Sequence, residues 1–320
     1  MIIYKFLRHM KKTLFTKIIG CELPIQLAGM PGINTVYLAA AVSSSGGLGM
    51  ISGTHMDPDF LLDTIDNLKE LTSQPFGVNF LMPFLDRDCV KVAASKSKLV
   101  EFFYGDPDPS LIEMVHEGGA LACWQIGSLK EAIQAEEAGC DLIVAQGTQA
   151  GGHVRGDAKL LPLISEVLEN VNIPIIAAGG IGIAKDIAEV LNAGAAAARV
   201  GTRFLAARES GAHPKYIQAL IDAKAEDTVL TETFSVGWPH AHHRVLKSCV
   251  NEVNSFEGEI VGERDLAGVK KPIFKGSIAL PTINTTGNIE AMALYAGESV
   301  GAVDSIKSAA DIMSELIKEI

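Results

Sequence analysis

Basic residues are scarce in this chain, and their scarcity excludes one large class of proteins. The 320 residues include 27 Lys and Arg against 38 Asp and Glu, which gives a formal net charge of −11 at pH 7. Proteins that bind nucleic acids need a basic face that neutralises backbone phosphates. We therefore expect no nucleic-acid partner.

Cysteine pairs and long apolar runs are also lacking. The five cysteines are scattered with no Cys-x-x-Cys pair, which favours reduced thiols in a cytoplasm over a disulfide framework. No run approaches the roughly 18 apolar residues of a membrane helix. The basic first twenty residues lack the apolar core and cleavage site of a signal peptide. The sequence predicts a cytoplasmic protein without a membrane partner.

A metal site is not predicted, although three histidines stand close together. His240, His242 and His243 belong to the stretch HAHH. No cysteine or carboxylate stands nearby at the spacing of known zinc sites. We interpret this stretch as a loop that contacts the substrate or only packs, and we predict no bound metal.

What the chain does contain is a regular alternation of short apolar runs and segments of helical period. Apolar residues make up 48% of the sequence and charged residues 20%, which is enough for a large core. Several helical segments open with a capping Asp or Ser and close at Gly. The eight candidate strands are residues 24–29, 48–52, 76–81, 100–104, 120–126, 140–146, 173–179 and 196–202.

This alternation predicts the fold and the organisation of the chain. Strict βα order implies a parallel sheet with right-handed crossovers, and eight units close a (β/α)8 TIM barrel. A doubly wound open sheet is the alternative. We predict the barrel over residues 18–227, a small inserted substrate or lid region over 228–275, and C-terminal helices over 276–320 that close the barrel. Two such helices are expected, at 288–297 and 304–319.

Glycine-rich loops follow the seventh and eighth predicted strands, in AAGGIG (177–182) and RVGTRF (199–204). In TIM barrels these two loops form the usual phosphate site, because bare backbone N–H groups and a helix N-terminus favour an anion. Gly179, Gly180, Gly201 and Thr202 are therefore candidate phosphate ligands. The alternative is that these are tight turns that need glycine only for their backbone.

The phosphate belongs to FMN in this interpretation. SSSGGLGMISG (43–53) lacks the dinucleotide-binding spacing and lies between a helix and a strand, which excludes a Rossmann fold. A flavin ring also needs amide or cationic partners at its pyrimidine edge. Asn79, Gln125 and Gln146 end predicted strands and fit that need, although each could instead serve as a capping amide.

The stretch QGTQAGGHVRG (146–156) places His153 on the loop after the sixth strand, at the face where barrels carry their active sites. Gly151 and Gly152 let the backbone pass close to a flat ring. An imidazole with a pKa near neutrality could exchange a proton beside the flavin. We predict that His153 is catalytic, and a surface histidine without function is the alternative.

Seven motifs in this order resemble those of one enzyme family: PIQLAGM, SSSGGLGMI, GVNF, QGTQAGGHVRG, IPIIAAGG, RVGTRF and YAGESVG (295–301). The chain resembles the nitronate monooxygenases, once called 2-nitropropane dioxygenases, and their relatives, the flavin-type enoyl-acyl-carrier-protein reductases. The likeness covers nearly the whole chain from about residue 18. It implies a barrel that binds FMN non-covalently.

The resemblance also implies roles for individual residues. His153 matches the catalytic base of the family, Gly29 and Met30 would lie beside the isoalloxazine, and Gln125 would lie near its pyrimidine edge. The implied FMN contacts are Asn79, Gln146, Gly151, Gly180, Arg199, Val200, Gly201 and Thr202.

The implied reaction is the FMN-dependent oxidation of alkyl nitronates by molecular oxygen to a carbonyl compound and nitrite. The partners would be a small-molecule substrate and oxygen, and a homodimer is compatible with the resemblance. An NAD(P)H-dependent flavin enoyl-acyl-carrier-protein reductase is the alternative enzyme. A flavin-binding barrel without turnover is the alternative from another class, favoured only if His153 turns away from the pocket.

Overall fold

The eight predicted strands form a parallel barrel in the computed structural model, which describes residues 12–266 and 268–318. The strands are β1 Ile25–Leu27, β2 Gly49–Ser52, β3 Phe76–Leu81, β4 Leu99–Phe103, β5 Leu121–Ile126, β6 Leu142–Gln146, β8 Ile175–Ala178 and β9 Ala197–Val200. Their order around the sheet is β1-β9-β8-β6-β5-β4-β3-β2, and a parallel bridge between Gln26 and Leu48 joins its two ends. The predicted TIM barrel is confirmed, and the open doubly wound sheet is excluded.

The helices between these strands begin where the sequence provides caps. Asp57, Asp86, Asp108 and Ser128 each accept a hydrogen bond from a backbone N–H in the first turn of the helix that follows, which satisfies a donor that has no partner within the helix. The helices are α1 Leu14–Ile19, α2 Val36–Ser44, α3 Pro58–Leu71, α4 Arg87–Lys96, α5 Pro109–Glu117, α6 Leu129–Glu137, α7 Leu160–Leu168 and α8 Ala184–Asn192.

The barrel receives its last helix from much further along the chain. Helix α12 (Ala309–Leu316) packs against α2 and α8 and buries Ile312, Met313 and Leu316. It therefore occupies the place of the helix that should follow β9 directly. Residues 201–308 form an insertion between the last strand of the barrel and its last helix.

The helix predicted over 288–297 is wrong. The structure has only a 3₁₀ turn at Ile289–Ala291 in that stretch. The amide of Leu246 donates to the carbonyl of Leu294, and Val245 pairs with Tyr295 in an antiparallel bridge. This pairing holds the chain extended, so tertiary contacts override its helical propensity. Of the two predicted closing helices, only α12 is an α-helix.

The described residues of the insertion form three further α-helices and, with a short strand from the loop after β6, two small antiparallel sheets. The elements are β7 Gly152–His153, α9 Thr202–Leu205, α10 Pro214–Ile221, β10 Thr228–Thr231, β11 His243–Leu246, α11 Lys247–Ser255, β12 Ile260–Leu266, β13 Val269–Phe274 and β14 Thr285–Gly287. The first sheet has the order β10-β11-β7, and the second β13-β12-β14. Because β7 belongs to the loop after β6, the first sheet ties the insertion to the catalytic loop predicted from the sequence.

Two buried apolar clusters hold the molecule together. One fills the barrel and the space under its helices, and the other lies within the insertion around Tyr216, Phe234 and Val245. Met30 packs against both clusters. Among the helices that the structure describes, none has both the length and the apolar character needed to cross a membrane.

Candidate active site

A cavity of about 410 Å³ opens at the carboxyl ends of the barrel strands, between the barrel and the insertion. This is the size range of small-molecule and cofactor sites. Twelve of the thirteen site residues predicted from the sequence line it, namely Gly29, Met30, Asn79, Gln125, Gln146, Gly151, His153, Gly179, Gly180, Arg199, Gly201 and Thr202.

Val200 is the predicted site residue that does not line the cavity. Its side chain is completely buried in the barrel cluster. Successive side chains of a strand point to opposite faces, so Arg199 points into the barrel and Val200 points towards the surrounding helices. The predicted FMN contact is therefore not available to the side chain of Val200.

A buried polar network forms the floor of the cavity. Arg199 donates to Gln125 Oε1 at 2.6 Å and to Gln26 Oε1 at 3.1 Å, and it forms an ion pair with Glu101. Glu101 is completely buried. A buried charge is tolerated when it is paired and hydrogen-bonded, so Glu101 and Gln26 hold the guanidinium of Arg199 in place.

Sequence reasoning missed Gln26 and Glu101. The available signal was a polar residue in the middle of an apolar strand, in PIQLAG and in VEFFY. Such residues are buried only with partners. Only the barrel geometry shows that the partner of both is Arg199, because the three residues lie on β1, β4 and β9.

Two amides at strand ends each keep a buried oxygen without a partner in the described part of the chain. Asn79 Oδ1 and Gln146 Oε1 are both buried and unpaired. Gln146 Nε2 donates to the carbonyl of His153 at 3.0 Å, which fixes the side chain. A Cβ at Gly29 would collide with the side chain of Asn79. Because buried polar atoms normally have partners, these oxygens indicate a ligand that brings hydrogen-bond donors.

The two glycine-rich loops provide unpaired backbone donors at another part of the cavity wall. Within the described residues, no acceptor takes the N–H of Gly180, Gly201 or Thr202. Gly180 has a φ of 75°, a left-handed conformation that L side chains rarely adopt. Unpaired N–H groups from two loops that converge on one cavity are an arrangement that suits an anion.

A serine of the YAGESVG motif joins this part of the wall. Ser299 lines the cavity, and a Cβ at Gly182 would lie 2.9 Å from its Cβ. Gly297 donates its N–H to Thr202 Oγ1 at 3.0 Å, which links the motif to the loop after β9. The sequence resemblance identified this motif without assigning a role to Ser299.

His153 is held in an aromatic enclosure. Its ring stacks on Trp238, with ring centroids 4.0 Å apart and an angle of 21° between the planes. Tyr104 and Tyr295 contribute rings at 5.9 Å and 5.6 Å. Strand β7 pairs with β11 so that His153 lies opposite His243. The Nε2 atom of His153 is buried and has no partner among the described residues.

The sequence-based expectation that His153 has a pKa near neutrality is wrong. Burial, followed by the nearby His243, lowers the pKa of His153 to about 3, because desolvation disfavours the charged form. The imidazole is therefore neutral at pH 7. Its unpaired Nε2 is available to a ligand in the cavity.

The HAHH stretch contributes to packing around the site. His243 is completely buried. Its Nδ1 lies 2.8 Å from the carbonyl of Ala241, and its Nε2 accepts from the N–H of Phe234 at 3.2 Å, which is the pattern of a neutral imidazole. His242 faces Glu232 at 3.1 Å. The structure shows no group of three metal-ligating side chains within residues 12–266 and 268–318.

The insertion adds an arginine that sequence reasoning also missed. Arg264, on β12, lines the cavity together with Trp238 and Tyr295. Burial lowers the pKa of its guanidinium. In the sequence Arg264 is one charge among several in GERDLAGVKK, and nothing in the pattern distinguishes it from an exposed residue of the hairpin.

Comparison with known proteins assigns this arrangement to one family. The nitronate monooxygenase family profile matches residues 12–88 and 85–319. A probable nitronate monooxygenase of Staphylococcus aureus (strain N315) is 32% identical over 295 residues, which is 78% of this chain and 82% of the relative. The relative from strain MRSA252 is 31% identical over the same lengths.

Two solved structures share the fold across nearly the whole chain. FabK from Thermotoga maritima is 33% identical with a TM-score of 0.82, over 97% of this chain and 96% of that one. A nitroalkane oxidase from Streptomyces ansochromogenes is 29% identical with a TM-score of 0.76, over 94% of this chain and 96% of that one.

Proposed function

Because this chain belongs to the nitronate monooxygenase family, a family of oxidoreductases, we propose that it is an FMN-dependent enzyme. The proposed reaction is the oxidation of alkyl nitronates by molecular oxygen to a carbonyl compound and nitrite. The observation that carries the proposal is the buried, unpaired Nε2 of His153 in a cavity that is also lined by unpaired backbone N–H groups of two glycine-rich loops. The small-molecule substrate and oxygen would be the partners.

The residues present fit FMN at both ends of the molecule. The unpaired N–H groups of Gly180, Gly201 and Thr202 suit its phosphate. The unpaired oxygens of Asn79 and Gln146, together with the hydrogen-bonded pair of Gln125 and Arg199 in the barrel interior, suit the hydrogen-bonding edge of its ring. When bound, FMN would supply the electron transfer between the substrate and oxygen.

The chain's own contribution would be to bind the nitronate and to exclude water. Neutral His153 can donate from or accept at Nε2, and the stacked Trp238 fixes its orientation. A base with a pKa of about 3 is far below the pKa near working pH that suits a general base. We therefore expect His153 to act on the pre-formed nitronate more effectively than on the neutral nitroalkane.

We propose that residues 228–275, which lie within the insertion of residues 201–308, form the substrate lid over the barrel, and that residues 276–320 complete the barrel through the helix Ala309–Leu316. Two observations support this division. Trp238 and Arg264, both from the proposed lid, line the cavity. Helix α12, from the final segment, packs on the barrel helices α2 and α8.

The test is anaerobic mixing of the flavin-loaded protein with propionate 3-nitronate, NADH or NADPH while the visible absorbance of the flavin is followed. We expect the nitronate to change the flavin spectrum and the two nucleotides to leave it unchanged. A nitronate that leaves the spectrum unchanged would contradict the proposal.

The second candidate is an NAD(P)H-dependent enoyl-acyl-carrier-protein reductase. It is favoured by the 33% identity to FabK from Thermotoga maritima over 97% of this chain. Rapid bleaching of the flavin by NADH or NADPH in the same experiment would support this candidate. A flavin-binding barrel without turnover is disfavoured, because His153 lines the cavity instead of turning away from it.

A further inference from the structure

We propose that Arg264 forms a subsite for an anionic group of the substrate, separate from the atoms that react beside His153. The inference rests on the proposed function only in that the substrate enters this cavity. Its consequence is a preference for substrates that carry a carboxylate or a similar anion in addition to the reacting carbon.

The guanidinium of Arg264 is incompletely satisfied by the protein. Its Nη2 donates to the carbonyl of Leu280. Its Nε is buried and has no acceptor among the described residues. Within the same residues, no carboxylate lies within 4.0 Å of the guanidinium nitrogens. A buried donor without a partner is costly, so the site favours a ligand that brings acceptors.

The balance of charges in the cavity also favours an anionic ligand at Arg264. Of the described residues that line it, Arg199 and Arg264 are the two with permanent charge, and none is Asp or Glu. Arg199 is neutralised by its ion pair with Glu101. Arg264 is not neutralised, and burial lowers its pKa accordingly. An anion in the cavity would supply the missing partner, and a carboxylate matches the guanidinium fork with two parallel bonds.

Arg264 lies on the substrate side of the cavity. The carbonyl that it contacts belongs to the segment Ile278–Leu280, all of which lines the cavity. At the other end of this segment, Tyr295 donates its hydroxyl to the carbonyl of Ile278 at 2.9 Å. The ring of Tyr295 lies 5.6 Å from that of His153. One segment thus connects Arg264 with the enclosure of His153, whereas the proposed phosphate site uses the loops after β8 and β9.

The experiment measures binding, so it does not depend on turnover. The flavin-loaded protein is titrated calorimetrically with butanoate and with butanamide, which have the same length but differ in charge. We expect the wild type to bind butanoate more tightly. We expect Arg264→Met to weaken butanoate binding by about 10- to 100-fold, the usual loss when a charged hydrogen bond is removed, with butanamide binding unchanged. Arg264→Lys, which keeps the charge, should retain part of the preference.

Lys271→Met is the matched control. Lys271 lies opposite Arg264 in the register of the hairpin, is exposed and does not line the cavity. Lys271→Met removes one positive charge from the same hairpin, and we expect it to leave the binding of both probes unchanged. If Lys271→Met lost as much affinity for butanoate as Arg264→Met, the effect would come from net charge in general, and the inference would be overturned.

Three other results would overturn it as well. One is a wild type that does not distinguish the two probes. Another is an Arg264→Met variant that binds butanoate normally. The last is an Arg264→Met variant that loses affinity for FMN but keeps its affinity for riboflavin, because Arg264 would then serve the cofactor phosphate. By contrast, butanoate binding that depends on Arg264 in a protein unresponsive to nitronates would sustain the subsite and reject the proposed function.

Discussion

At the scale of the residue, His153 combines two properties that are rarely found together. Its Nε2 lies unpaired in a cavity, and its pKa is about 3 because the aromatic residues around it exclude water. The imidazole therefore stays neutral over the whole physiological range. Activity should accordingly show no ionisation of a histidine near its ordinary pKa of 6.5.

The first prediction concerns the role of His153 in turnover. We expect His153→Asn to keep its flavin and to lose about 10- to 100-fold in kcat/KM for the pre-formed nitronate, the usual cost of removing a hydrogen bond to a charged group, because the shorter amide does not reach the position of Nε2. Turnover of the neutral nitroalkane should fall by no more than this, since a group with a pKa of about 3 is a poor proton acceptor. Steady-state kinetics with matched nitroalkane and nitronate gives the ratio.

Two other results in this kinetic comparison would contradict this binding role. A much larger loss on the neutral nitroalkane than on the nitronate would show that His153 exchanges a proton. No loss on either form would show that His153 is not catalytic. The flavin content of each preparation, measured from its visible absorbance, controls for a change in cofactor binding.

The second prediction links His153 to stability. The folded protein holds the pKa of His153 at about 3, whereas the unfolded chain protonates near 6.5. The unfolded state therefore binds the extra proton first, and the free energy of unfolding should fall as the pH drops from about 6.5 towards 3. His243, whose pKa is also lowered by burial, contributes in the same direction.

Urea unfolding of the wild type and of His153→Gln at pH 7 and pH 5 measures this effect. Gln has no charge to acquire, so the variant should lose less stability than the wild type between the two pH values. Identical losses would mean that His153 is not protected from water in solution as it is in the structure.

Residue types revealed much of the site from the sequence, but only where the signal was local. The glycine pairs at 151–152 and 179–180, the amides at strand ends and the histidine after a strand stand out against an apolar background, and all of these lie at the cavity. Glu101 has only the weak signal of a polar residue within an apolar strand, and Arg264 has none, because an arginine in a hairpin is most often exposed. Their roles depend on residues that are distant in the sequence.

At the scale of the element, the loops after β8 and β9 differ in how well they can be tested. A side chain at Gly180 would be strained by its positive φ and would lie 3.1 Å from Gln149 Cβ, so a substitution there would combine a stability defect with any loss of flavin. Gly201 does not have a positive φ, and a Cβ there would lie 3.2 Å from Ala28 Cβ. Gly201 is therefore the better position for testing the phosphate site, because a substitution there adds no backbone strain from a positive φ.

The third prediction is that Gly201→Leu loses most of its flavin while remaining folded. A leucine side chain would extend into the cavity and cover the N–H groups proposed to hold the phosphate. The ratio of flavin to protein absorbance after purification measures the loss, and circular dichroism checks the fold. Gly301→Leu is the control, because Gly301 is exposed and has no atom closer than 3.8 Å to an added Cβ. Full flavin content in Gly201→Leu would remove this loop from the phosphate site.

The strands could be predicted because a buried parallel strand needs a continuous apolar run, and all eight runs in the sequence are strands. The extended conformation of residues 291–296 could not be predicted, because their composition favours a helix and only their pairing with β11 holds them extended. Strand β7 has two residues, Gly152 and His153, and no sequence pattern is that short. Its pairing with His243 is therefore visible only in the folded molecule.

At the scale of the whole molecule, the barrel depends on a helix that follows the entire insertion. Ile312 of α12 is 1% exposed and packs in the barrel cluster. Deleting its outer methyl and methylene groups would leave a cavity between α12 and the helices beside it.

The fourth prediction is that Ile312→Ala lowers the free energy of unfolding by about 2–5 kcal/mol, the usual cost of this substitution in a core. Ile306→Ala is the control. It makes the same substitution nearby in the chain, at a residue that is 50% exposed. Urea unfolding followed by circular dichroism compares the two. Equal stability of the two variants would contradict the assignment of α12 to the barrel core.

The position of α12 in the chain also has a consequence for the order of events on the ribosome. All eight strands have been synthesised by Val200, but the helix that covers α2 and α8 is Ala309–Leu316. Translation at ~5–20 residues per second makes this delay on the order of 10 s. During that interval the nascent barrel has an uncovered apolar seam between α2 and α8, and this seam is where we expect chaperones to bind the growing chain.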